Sequence, residues 1–66
     1  MDIGKSINVG CALRNKRKLD LADHIGTTPN TVSNWSSGKT LPCVKTLGEI
    51  SEFFGVKVST FIEWGE

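Results

Sequence analysis

Apolar residues recur along this chain at intervals of three and four, the spacing that keeps side chains on one face of a helix. Ile3, Ile7 and Cys11 stand four apart, with Ala12 and Leu13 behind them, which predicts a first helix over residues 2–14. Asp2 puts a negative charge where it complements the helix dipole. Asn15 is a suitable stop, because Asn tolerates the left-handed conformation that follows helix ends. Gly4 and Gly10 each weaken this helix by about 0.5–1 kcal/mol relative to Ala. Leu21, Ala22 and Ile25 form the inner stripe of a second helix over 17–25, leaving Asp20, Asp23 and His24 outside. Gly26 closes it. Val44, Leu47, Ile50 and Phe54 are the inward stripe of a fourth helix over 44–54, closed by Gly55. Val58, Phe61 and Ile62 face inward from a last helix over 58–64. Trp64 reads either as a lid on the core or as an exposed contact with a partner, the second being favoured.

The third helix, over 29–36, differs from the others. Thr28 can cap it, since a Thr hydroxyl accepts a free first-turn N–H. Pro29 then takes the first helical position, where its missing N–H costs nothing. Gly38 ends the helix, and Lys39, Thr40, Leu41 and Pro42 make a loop. At about 100° per residue, Pro29, Asn30, Ser33 and Asn34 share an arc of roughly 140°. Val32, Trp35 and Thr31 lie opposite. One side can enter a core while the other presents amides and a hydroxyl, and an Asn amide both donates to and accepts from the N6/N7 edge of adenine. The short Thr27-Thr28 turn holds the second and third helices at a steep angle, a helix-turn-helix spanning about 17–36. The predicted fold is all-α, five short helices around one small core, in a single domain over 1–66.

Length and charge narrow the function. A chain of 66 residues makes one domain, burying only about 60% of its unfolded surface. No apolar run approaches the 18 residues of a membrane span, and no signal-peptide pattern follows the first charges. A cytoplasmic protein is the expectation. Cys11 and Cys43 lack Cys-x-x-Cys spacing and there is one histidine, so no structural zinc site is expected. They read instead as two semi-buried thiols in a reducing compartment. The net charge of +1 is unevenly spread. Lys5, Arg14, Lys16, Arg17, Lys18 and Lys39 outnumber Asp2, Asp20 and Asp23 in residues 1–42, whereas Glu49, Glu52, Glu63 and Glu66 outnumber Lys45 and Lys57 afterwards. This suits a domain that turns one side to a polyanion. Lys18, at the start of the second helix, is disfavoured by the dipole unless a phosphate binds there; otherwise it is a solvated lysine. No Ser/His/Asp, Cys/His or paired-carboxylate grouping converges, and His24 has no orienting partner, so no enzyme is expected.

The ordered residues Ile3-Gly4-Lys5, Ile7, Leu21-Ala22, Ile25-Gly26, Thr27-Thr28, Thr31-Val32-Ser33-Asn34-Trp35, Gly38-Lys39, Pro42, Thr46-Leu47, Ile50 and Gly55-Val56 resemble the lambda-repressor-like helix-turn-helix domain of phage CI and Cro repressors. The resemblance runs without gaps over nearly the whole chain. It implies a recognition helix whose Pro29, Asn30, Ser33 and Asn34 meet base edges. It also implies phosphate contacts from Lys18 and Thr28, and from Gly38, Lys39 and Thr40 through the lysine and backbone N–H groups. Lys18 stands where the family often has Gln, which favours a phosphate contact there. Cys11 and Ser36 replace an Arg and a Glu that relatives use as an ion pair, so these two are expected to lie close in space. Arg14 and Lys16 fall where relatives place apolar residues, and Leu13 and Leu19 are expected to supply that packing.

The function so implied is a sequence-specific double-stranded DNA-binding transcriptional regulator. It would be a phage or prophage repressor, either a CI N-terminal domain or a Cro, binding operator DNA as a homodimer on the nucleoid of a bacterial host. The dimer contact is expected on the last helix and its approach, at Lys57, Val58, Phe61 and Trp64, because the other faces are committed to core or DNA. No cofactor, metal, membrane or small-molecule substrate is expected. The alternatives are an antitoxin or restriction-modification controller of the same fold, or a protein-binding module without a DNA role.

Overall fold

The computed structural model describes residues 2–66 and contains five helices: α1 (Ile3–Arg14), α2 (Lys18–Ile25), α3 (Pro29–Ser37), α4 (Val44–Phe54) and α5 (Val58–Glu63). Their ends follow local chemistry. Asp2 caps α1 by accepting the Lys5 N–H at 3.0 Å. Asn15 leaves it in the left-handed region, at φ 54°. Thr28 caps α3 by accepting the Thr31 N–H at 3.3 Å, and Pro29 sits at the first position.

The core takes residues from every helix: Ile3 and Ile7 of α1, Leu21 and Ala22 of α2, Val32 and Trp35 of α3, Ile50 and Phe54 of α4, and Phe61 of α5. α3 lies against both α1 and α2, while α4 rests on α2, and α5 on α1 and α4. Phe54 and Phe61 stack at 6.0 Å between centroids, and Trp64 meets both edge-on.

The glycines of α1 do more than weaken a helix. A Cβ on Gly4 would stand 2.5 Å from the Ser36 carbonyl oxygen, so α1 and α3 touch backbone to backbone. A Cβ on Gly10 would stand 2.8 Å from the Trp64 ring and 2.9 Å from that of Phe54. Interiors pack at crystal density, and these two positions hold no room for a methyl group.

Several expectations fail on burial. Val44 is 85% exposed, because it is the first residue of α4, before the turn at which that helix meets the core. Val58, first in α5, is also on the surface. Leu13 and Leu19 are exposed and supply no missing packing. Lys16 makes a different contact there, its ammonium lying over the Phe53 ring at 4.8 Å from the centre, attracted by the negative face of the ring. The two thiols differ. Cys11 is half-buried, and burial pushes its pKa up. Cys43 is exposed rather than semi-buried, and a hydrogen bond with the Thr46 hydroxyl holds its pKa below the usual thiol value. Ser36 donates its hydroxyl to the Ser33 carbonyl at 2.9 Å, and its own backbone lies against Gly4. Gly4 is seven residues, about 10 Å, along α1 from Cys11. The expected proximity of Cys11 and Ser36 gains no support from this arrangement.

Candidate nucleic-acid interface

The rotational setting of α3 decides what it shows to solvent. Val32 and Trp35 are buried, and the two caps fix where the helix begins and ends. Pro29, Asn30 and Ser33 therefore point outward and Asn34 is half-buried beside them. Hydrogen bonds at the ends of α3 use the Thr28, Thr31, Ser36 and Ser37 hydroxyls. The Asn30 and Asn34 amides take no part in them. Two bifunctional amides on a helix with no charged residue can read base edges but supply no attraction of their own to a phosphate backbone.

Sequence reasoning missed Ser37. It belongs to α3 and is exposed, and 100° steps place it near 80°, at the centre of the polar arc. The same arithmetic carried one residue further finds it. Its hydroxyl donates to the Asn34 carbonyl at 3.2 Å.

The loop after α3 departs from what the resemblance implies. Gly38 takes the left-handed conformation, at φ 85°, and donates its N–H back to the Trp35 carbonyl at 3.2 Å. The Lys39 and Thr40 N–H groups both reach the Asn34 carbonyl, at 2.9 and 3.4 Å. Closing the helix thus occupies the three amides that were expected to hold phosphates. Gly38 has nothing else to offer. The exposed side chains of Lys39 and Thr40 remain.

At the start of α2, Lys18 is exposed, and the dipole is answered from within the protein. The Asp20 carboxylate accepts the Arg17 backbone N–H at 3.3 Å and two guanidinium N–H groups at 3.2 Å. The Arg17 hydrogen bond holds the Asp20 carboxyl below its usual range. His24 is not bare surface: its ring lies 5.3 Å from that of Phe53.

The α5 side also needs correction. Phe61 is fully buried and meets no partner while the domain is folded. Trp64 is half-buried against Phe54, Phe61 and Gly10, which makes it the lid rather than a free contact. Lys57 and Val58 are exposed, and they line an open groove of about 800 Å³ between α4 and α5 with Gly48, Val56 and Thr60.

Among the described residues, no group of three or more His, Cys, Asp or Glu is placed to hold a metal ion. Among the described residues, too, no helix is long and apolar enough to cross a membrane. A family model described as helix-turn-helix matches residues 12–61, from the end of α1 into α5. Neither the curated proteins nor the solved structures yield a match to the chain.

Proposed function

The chain belongs to the helix-turn-helix family, a family of DNA-binding regulators, and from that premise we propose that it is a sequence-specific repressor of the phage CI or Cro kind. It acts by occupying double-stranded operator DNA, as a homodimer, and has no catalytic role. One observation carries the reading: α3 buries Val32 and Trp35 and turns Asn30 and Ser33 outward, with Asn34 half-buried beside them.

In this reading α3 lies in the major groove, with Pro29, Asn30, Ser33 and Asn34 at base edges. Lys18, Thr28, Lys39 and Thr40 hold phosphates through their side chains. A domain this small covers little DNA, so two copies on half-sites about one helical turn apart are expected. The α4–α5 groove with Lys57 and Val58 is where those copies meet. A module that binds protein instead of DNA loses one of its supports, because Trp64 is engaged with the core.

The test is protection of DNA upstream of the protein's own gene, followed by titration of the protected site and of random DNA. Asn30→Ala is expected to cost about 1–3 kcal/mol on the protected site and nearly nothing on random DNA. Equal losses on both would remove Asn30 from base reading, and a flat salt titration with every DNA would end the proposal.

A further inference from the structure

A second polar surface touches the recognition face and has no role in the scheme above. It is a cleft of about 420 Å³ between the first half of α1 and the end of α3, walled by Asp2, Lys5, Asn8, Ser36 and Ser37. Resting on the DNA-binding reading, we propose that this cleft seats a backbone phosphate of the bound duplex, held by the Lys5 ammonium and the Asn8 carboxamide.

Three observations converge on it. First, Ser37 belongs to two surfaces at once. It lies at the centre of the polar arc of α3 and forms part of the cleft wall. A duplex that takes α3 into its groove therefore carries one strand past the mouth of the cleft. Second, the distance between the walls is fixed. Gly4 and the Ser36 carbonyl are in backbone contact, so α1 moves with α3 and presents Lys5 and Asn8 at a set position. Lys5 and Asn8 are both exposed and lie three residues apart, neighbours on one helix face. Third, the charge is needed. α3 has no cation of its own, so attraction to phosphates has to come from flanking elements. Lys18 enters from α2 and Lys39 from the loop after α3. Lys5 is the cation that α1 brings to the same face.

The donors are side chains. The Lys5 N–H is already given to the Asp2 carboxylate at 3.0 Å, and the Ser36 and Ser37 hydroxyls donate to carbonyls within α3. Asp2 is the one group in the cleft that opposes an anion, and it makes an informative partner for the experiment. Asn caps helices about as well as Asp, so Asp2→Asn removes the charge and keeps the cap.

The experiment measures binding of the whole chain to random duplex DNA over a range of salt, for wild type and three variants, with helicity checked by circular dichroism. Lys5→Gln is expected to weaken binding about three- to tenfold at low salt and to lower the salt slope by about 0.9 per subunit. Asp2→Asn is expected to tighten binding to every DNA. Lys16→Gln is the charge-matched control, since the Lys16 ammonium is turned onto the Phe53 ring; it is expected to leave the slope close to that of wild type. A Lys5→Gln slope equal to wild type overturns the phosphate seat, and so does an equal loss of slope from Lys5→Gln and Lys16→Gln, which is an effect of net charge alone. In either case a loss of slope from Lys39→Gln keeps the DNA-binding reading standing. Absence of salt-dependent binding by the wild type overturns both.

Discussion

The α3 helix and the α4–α5 pair carry equally regular apolar spacing, but the spacing means different things in the two places. In α3 the apolar and polar arcs separate as the angles require, with Thr31 and Asn34 half-buried where the two meet. Val32 and Trp35 are inside, and Asn30 and Ser33 are outside. In α4 and α5 the same reasoning puts Val44 and Val58 inside, and both are on the surface. The difference lies in position along the helix. α3 is held at both ends, by Thr28 and by Gly38, and lies against α1 and α2. Val44 and Val58 are the first residues of their helices, where a side chain on the correct face still has no neighbour to meet. Periodicity assigns a face, but burial requires something opposite it.

The sharpest test pairs Ile50 with Val44, two members of one stripe. Ile50 is fully buried, and Ile50→Ala is expected to cost about 2–5 kcal/mol. That is a large part of the stability of a domain this size. Val44→Ala is expected to stay within about 0.5 kcal/mol, as surface changes do. Urea midpoints of the two variants decide it. A Val44 loss approaching that of Ile50 would mean that α4 is covered at its start in solution, and the contrast between the two regions would disappear.

Glycines sharpen the same comparison through the sign of the effect. Helix propensity alone says that Ala stabilises either Gly4 or Gly48 by about 0.5–1 kcal/mol. Around Gly48 nothing lies within 4 Å of an added Cβ, so Gly48→Ala is expected to raise the midpoint. At Gly4 the added carbon meets the Ser36 backbone. A backbone oxygen has no rotamer to escape into, so Gly4→Ala is expected to destabilise by about 1–3 kcal/mol. Thermal unfolding of both variants reads the two signs, and stabilisation by Gly4→Ala would refute the close contact of α1 with α3. Thr28→Ala comes next in size, at about 1 kcal/mol, because the cap hydroxyl accepts the Thr31 N–H.

Helix positions were legible in the sequence because caps and left-handed stops are local. Asp2, Asn15, Thr28-Pro29, Gly26, Gly38 and Gly55 each set an end through their own backbone or their own side chain. All nine residues of the core cluster were legible too, from the stripes. What the sequence hides is non-local. That Gly4 abuts Ser36, that Trp64 closes over Gly10, and that Lys16 covers Phe53 all depend on which helices meet. The candidate interface divides in the same way. The outward face of α3 follows from angles, whereas the fate of the Gly38, Lys39 and Thr40 amides depends on how the helix ends. Lys5 reads as an ordinary charged residue until α1 is laid against α3.

The smallest expected effect concerns the end of α2 that carries Lys18. Arg17 and Asp20 are paired at 3.2 Å on the surface, where water and salt screen an ion pair and leave it little net worth. The sign is nevertheless fixed. Asp20 has a lowered folded-state pKa, principally from the Arg17 hydrogen bond. Its contribution is therefore fully present above the unfolded carboxyl value, about 3.9, and is lost as pH falls through the lower folded value. Urea midpoints of wild type and Asp20→Asn between pH 6 and pH 2 are expected to differ slightly at the upper end and to converge at the lower. Added salt is expected to narrow the gap at the upper end. Equal midpoints of the two variants at every pH would move the role of Asp20 from its charge to its hydrogen bond with the Arg17 N–H, which an Asn amide oxygen also accepts. The start of α2 would then be held by capping alone, as α3 is held by Thr28.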